Sequence, residues 1–128
     1  PISSMEQSTE TLAGVRSDFE ERYRMVVAAC MKVRLPLTVC TIYNGCFEDQ
    51  SFQRIATTIL TVFNDAIIRV AVENSIPVID LRAVCEAAED YANPIEPSSI
   101  GGAKIARVIV GLVSGANAST TATRIVVA

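Results

Sequence analysis

The stretch YANPIEPSSIGGAKIA, residues 91–106, decides how the rest of the chain is read. Pro94 and Pro97 fix the backbone of a loop and exclude helix just before each of them. Ser98 and Ser99 follow, either of them a good N-cap. Gly101 and Gly102 then open an apolar, helix-competent run through Ile109. A rigid loop carrying one carboxylate, Glu96, is thus delivered onto a helix start, and chemistry concentrates on loops held in this way. Ahead of it, IPVIDLR at 76–82 has the apolar continuity of a buried parallel strand. A strand end followed by such a loop is the usual place for a site in an α/β protein.

Working outward, apolar residues at Leu12, Val15, Phe19, Tyr23, Val26, Cys30 and Val33 recur every three or four positions, which predicts a helix over 8–32 with that stripe in the core. Residues 1–7 read as polar and loose. The segment 35–43 predicts a strand, apolar on both faces and ended by the turn signal Asn44-Gly45. A second helix is expected over 50–73, its stripe made of Phe52, Ile55, Ile59, Phe63, Ala66, Ile67 and Val70. Asn64 and Asp65 are poor helix formers in its middle; they read either as hydrogen-bonding a neighbouring loop or as a solvent face. A second strand follows at 76–81, with Asp80 inside it and Arg82 close enough in sequence to pair with it. One or two helical turns are expected over 82–89. The third helix is expected over 99–113, ended near Gly111 or Gly115. Residues 114–128 read as a polar tail with 125–127 able to pair as an edge strand, and its Asn117-Ala118-Ser119 triplet as a chance match to a glycosylation pattern.

Strands alternating with long helices imply an α/β chain: a three-layer αβα arrangement with a partial parallel sheet, ordered helix, strand, helix, strand, helix over 8–113. Two strands are too few to occupy three amphipathic helices and close their own edges. The expectation is half a sheet, completed by a missing N-terminal half, a second copy or a partner chain. A start at Pro1 rather than Met points the same way, to a processed chain or a fragment.

Composition narrows the function classes. With 128 residues, half of them apolar and a net charge of −3 without a basic patch, the chain reads as one soluble domain that does not bind nucleic acid. It has no run of eighteen apolar residues and no signal sequence, so the expectation is a cytoplasmic protein with no membrane contact. Four cysteines without a CxxC pair and no histidine argue against a metal site, and no cofactor is expected. Cys30 and Cys40 read as small buried thiols, Cys46 as a loop thiol lacking the base that a nucleophile needs.

The run FNDAIIRVAVENSIPVIDLRAVC at 63–85, followed by DYANPIEPSSIGGAKIA at 90–106, resembles the C-terminal end of SGNH/GDSL-family hydrolases. PLTVCTIYN at 36–44 resembles an earlier strand of the same family. The resemblance spans residues 19–109 and matches only the back half of that fold. It implies an esterase or lipase-like hydrolase acting on a small-molecule ester through a serine nucleophile. The family's Gly-Asp-Ser-Leu-like motif and its oxyanion-hole Gly and Asn have no match here, so the nucleophile is expected outside the chain. The family's Asp-x-x-His pair falls on Asn93-Pro94-Ile95-Glu96, with Asn93 in place of the acid and Glu96 in place of the base. By the same resemblance Asp90 is a substitute acidic partner. Tyr43, Asn44, Pro94 and Ser98 are the candidate substrate-binding residues; Asn44, at a strand's C-terminal end, reads either as lining a site or as an ordinary turn residue. An ordinary Glu titrates near 4.3, a weak base for a serine hydroxyl unless burial raises it. Two readings of Glu96 stand side by side: a base, or a structural carboxylate that accepts from the N–H groups of Ile100 or Gly101. A non-catalytic scaffold for ligand binding or assembly is the alternative for the whole chain.

Overall fold

The computed structural model describes residues 3–115, 123 and 125–128. Asn117-Ala118-Ser119 and most of the tail lie outside the described residues. The element order is α1 (Ser4–Met31), β1 (Val39–Cys40), α2 (Gln50–Glu73), β2 (Val78–Ile79), a 3-10 turn (Ala88–Asp90) and α3 (Ser99–Ser114).

The strands pair in parallel, Val39 opposite Val78 and Cys40 opposite Ile79. The expected three-layer αβα arrangement is nevertheless overturned. Among the described residues the chain is mostly helical, with helices of 28, 24 and 16 residues around a sheet of two two-residue strands. Two physical causes shorten the ladder. Pro36 and Pro77 lack N–H groups at the strand entrances. At the strand exits, side chains replace backbone partners: Leu81 N–H donates to Thr41 Oγ1 at 2.9 Å, and Ile42 is bonded to α2.

That bond to α2 is made by Asn64, which is 1% exposed. Its Oδ1 accepts from Ile42 N–H at 2.7 Å and its Nδ2 donates to Ile42 C=O at 2.9 Å. The amide therefore satisfies both backbone groups of Ile42 as a neighbouring strand would. A residue that weakens a helix is tolerated here because it ends a strand. Its neighbour Asp65 takes the opposite role and faces solvent, in an ion pair with Arg16 at 2.8 Å.

Helices α1 and α2 run side by side in the same direction. Arg16 meets Asp65 and Arg24 meets Glu73, steps of eight residues on each helix. Phe19 packs edge-on against Phe63, ring centroids 5.0 Å apart, beneath this ladder. The seam of α1 is turned relative to the expected stripe. Val27 is buried, whereas Val15, Val26 and Val33 are exposed, and Cys30 with them. The helix also begins earlier, at Ser4, because Ser3 and Glu6 form a reciprocal capping box. The core sits where the second half of α2 (Ala66, Ile67, Val70, Ala71) meets Ile79, Leu81 and Cys85. Phe52, Ile55 and Ile59, on the first half of α2, remain exposed. By length and hydropathy α2 is apolar enough to cross a membrane. Its buried second half, and Arg54, Asp65, Arg69 and Glu73 along it, equally suit a core helix.

Replacing Asn64 by Leu strands two backbone groups of Ile42, each costing about 1–3 kcal/mol when buried. Ile42 is partly exposed, so a loss of about 2 kcal/mol is expected in urea unfolding. A loss below about 0.5 kcal/mol would contradict the clamp.

Candidate functional site

The loop 91–97 is a closed hairpin. Tyr91 and Pro97 form an antiparallel bridge at its neck, and Ala92 N–H donates to Glu96 C=O at 2.9 Å. Asn93 organises the tip. Its Oδ1 accepts from the N–H groups of Ile95 and Glu96, at 3.0 and 2.9 Å, and its Nδ2 donates to the Glu96 carboxylate. Asn93 and Glu96, brought together from the sequence as a pair, therefore touch. Both are exposed.

The hairpin is held against the segment after β1. Cys46 N–H donates to Pro94 C=O at 2.9 Å, and the Tyr43 hydroxyl donates to Ile95 C=O at 2.9 Å. Gly45 lies in the left-handed region, φ 73°, and a Cβ there would sit 2.6 Å from Pro94 O. The close approach and the turn both require glycine. Tyr43 packs edge-on against Tyr91, and the Tyr91 hydroxyl donates to Cys85 C=O. Burial pushes the Tyr91 phenol up to about 12, so it stays a neutral donor.

Two depressions meet at residues 44–47. One, about 370 Å³, is apolar, with Ile42, Phe47, Ala56, Ile59, Leu60 and Ile95 among its walls. The other, about 470 Å³, is polar and is lined by Gln50, Gln53, Thr57, Arg82 and Glu86 among others. Asn44 borders both, and its Oδ1 is buried with no hydrogen-bond partner among the described residues. Gln53 braces the divide, accepting from Phe47 N–H at 2.7 Å and donating to Asn44 C=O at 3.3 Å.

Asp90 stands apart from Asn93 and Glu96. It is fully buried, accepts from Ala87 N–H at 3.0 Å and meets the Lys104 ammonium at 2.6 Å. The Lys104 charge and then the Ala87 N–H hold its carboxyl below the ordinary value. Ser98 is likewise committed. Its Oγ caps α3 by accepting from Ile100 and Gly101 N–H, at 3.1 and 3.2 Å, and donates to Glu89 C=O at 2.6 Å. The cap that could have been assigned to Glu96 is thus made by Ser98, and the Glu96 carboxylate engages Asn93.

Asp80 and Arg82 do pair. Arg82 Nε and Nη2 donate to the two carboxylate oxygens, each at 2.8 Å, and Thr41 Oγ1 donates to Oδ1 at 2.8 Å. The Arg82 hydrogen bonds come first in holding the Asp80 carboxyl at about 2. Over residues 82–89 the expected helical turns reduce to tight turns and the 3-10 turn at Ala88–Asp90. The four cysteines are free; Cys85 is buried and Cys40 and Cys46 are half-buried. Thr41, Asn64 and Lys104 do structural work that periodicity could not assign, because each partner lies far off in sequence.

Comparison with known proteins returned no match, whether to family models, to curated proteins or to solved structures.

Two outcomes follow from this geometry. Asp80 has a depressed folded value, so its contribution is complete above the unfolded value near 3.9 and is lost as pH falls towards about 2. Its side chain is 43% exposed, so solvent screening leaves about 1 kcal/mol. Asp80→Asn is expected to flatten the fall in stability between pH 4 and pH 2, read by urea midpoints across that range; an unchanged slope would refute the pairing. At Gly101 an added Cβ would fall 2.1 Å from the Asp90 carbonyl oxygen. Gly101→Ala is expected to cost about 3 kcal/mol, whereas Gly102→Ala, whose Cβ meets nothing within 4 Å, should be neutral or mildly stabilising.

Proposed function

We propose that this chain supplies the acid/base loop of a hydrolase that cleaves ester bonds by serine nucleophilic catalysis, with the nucleophile contributed from outside these residues. The reading rests on one observation. Asn93 and Glu96 stand where the resemblance to SGNH/GDSL hydrolases places an orienting acid and a base, and the Asn93 amide bonds the Glu96 carboxylate. A base catalyst needs a third group to set its direction, and Asn93 fills that role. The Glu96 carboxylate takes the proton of the attacking serine hydroxyl as the oxygen adds to the ester carbonyl. It returns that proton to the departing alcohol, and water then cleaves the acyl intermediate by the reverse sequence. The apolar depression bordered by Ile95 adjoins this loop and suits the hydrocarbon part of a small ester. Four free thiols fit a reducing, cytoplasmic setting.

The second reading, a scaffold that binds a ligand or assembles with a partner without catalysis, is favoured by one fact: the chain has no histidine. Glu96→Gln in the complete polypeptide separates the two. Glu96 does not cap α3, so folding should be unaffected. Turnover of short-chain activated esters is expected to fall about a hundredfold or more. Unchanged turnover, or no turnover even in the unsubstituted complete polypeptide, would leave the scaffold reading.

A further inference from the structure

The polar depression of about 470 Å³ lies beyond the C-terminal ends of both parallel strands. Its walls come from three stretches: the loop 44–47 after β1, the first two turns of α2, and residues 82–88 after β2. The C-terminal ends of parallel strands are where ligands gather in open sheets, and the volume suits a small molecule.

Part of this wall is already committed. The Gln53 amide accepts from Phe47 N–H and donates to Asn44 C=O and to Thr57 Oγ1, so it braces the wall and is not offered to a ligand. Three groups keep hydrogen-bonding capacity. Asn44 Oδ1 is buried at the border of the depression, an acceptor with no donor among the described residues. An acceptor shut away from solvent calls for a donor. Arg82 gives Nε and Nη2 to Asp80, which leaves the N–H groups of Nη1 uncommitted among the described residues. Glu86 is exposed, and its carboxylate meets no described donor. Among the described residues that line the depression, Arg82 is the one cation and Glu86 the one anion.

We propose that this depression binds a small zwitterion of the α-amino acid class. The ammonium group of the ligand supplies the donors that Asn44 Oδ1 and Glu86 lack. Its carboxylate accepts from Nη1 of Arg82, a charge-assisted bond that leaves the Asp80 pair intact. The site lies on the opposite side of residues 44–47 from the apolar depression, and the inference does not rest on the hydrolase reading.

The experiment is a titration of the complete chain with L-alanine, followed through the backbone amide shifts of residues 44–47 and 82–88. Saturable shifts confined to these stretches are expected. N-acetyl-L-alanine, which lacks the ammonium, and L-alaninamide, which lacks the carboxylate, should each bind at least about tenfold more weakly. Glu86→Gln changes an exposed residue and should weaken alanine binding about tenfold without altering the urea midpoint. Asn44→Leu removes an acceptor that no described residue uses, at a position without a left-handed backbone. It should abolish binding while the urea midpoint holds or rises. No saturable shift with alanine would overturn the proposal, since water alone would then serve Asn44. Equal binding of alanine and both analogues, or full binding by either variant, would also overturn it. A lowered urea midpoint in Asn44→Leu would do the same, by showing the amide to be structural.

Discussion

Asp90 is the constraint on which the site depends. Three parts of the chain converge on one residue with no solvent exposure. Its carboxylate holds the preceding turn through Ala87 N–H and holds α3 through Lys104. Its carbonyl oxygen accepts from Ser98 N–H at 2.7 Å, and the helix backbone comes so close that only glycine fits at 101. A buried carboxylate without a countercharge would be costly, so the Lys104 contact is what makes this arrangement tenable. The neck of the hairpin, Tyr91 opposite Pro97, lies between these anchors. The hairpin that carries Asn93 and Glu96 is therefore anchored at its neck by the groups gathered around Asp90.

The other half of the site is fixed from the sheet side. Asn64 ends β1 by bonding both backbone groups of Ile42, and the chain turns into residues 43–47 immediately after. Cys46 N–H and the Tyr43 hydroxyl then receive the hairpin. Strand exit, loop and hairpin form one connected unit, although the sheet beneath it is only two residues deep. Two exposed apolar residues of α2 border the same region, Phe52 by its ring contact with Phe47 and Ile59 as a wall of the apolar depression.

Much of this was legible in the sequence where the signals are local. The α2 limits, a serine cap at 98 or 99, the α3 start and the parallel pairing of 39–40 with 78–79 follow from periodicity, capping chemistry and the crossover rule. What was not legible depends on distant partners. The α1 seam is turned towards Val27, with Arg16 and Arg24 paired to acidic residues on α2 far off in sequence. The three-layer arrangement failed because apolar runs of six to nine residues became strands of two, their exits taken by side chains from elsewhere. Asp90 could be seen as an acid near the loop, but its burial under Lys104 could not, since fourteen residues separate them.

The central claim is that Glu96 occupies the position of a base oriented by Asn93. Glu96→His in the complete polypeptide tests it most directly, with Glu96→Gln as the reference. An imidazole titrates near 6.5 and is the better base for a serine hydroxyl. The account predicts turnover well above that of the Gln variant, with a new inflection in the pH–rate profile near 6.5. A His variant as inactive as the Gln variant, with no such inflection, would contradict it.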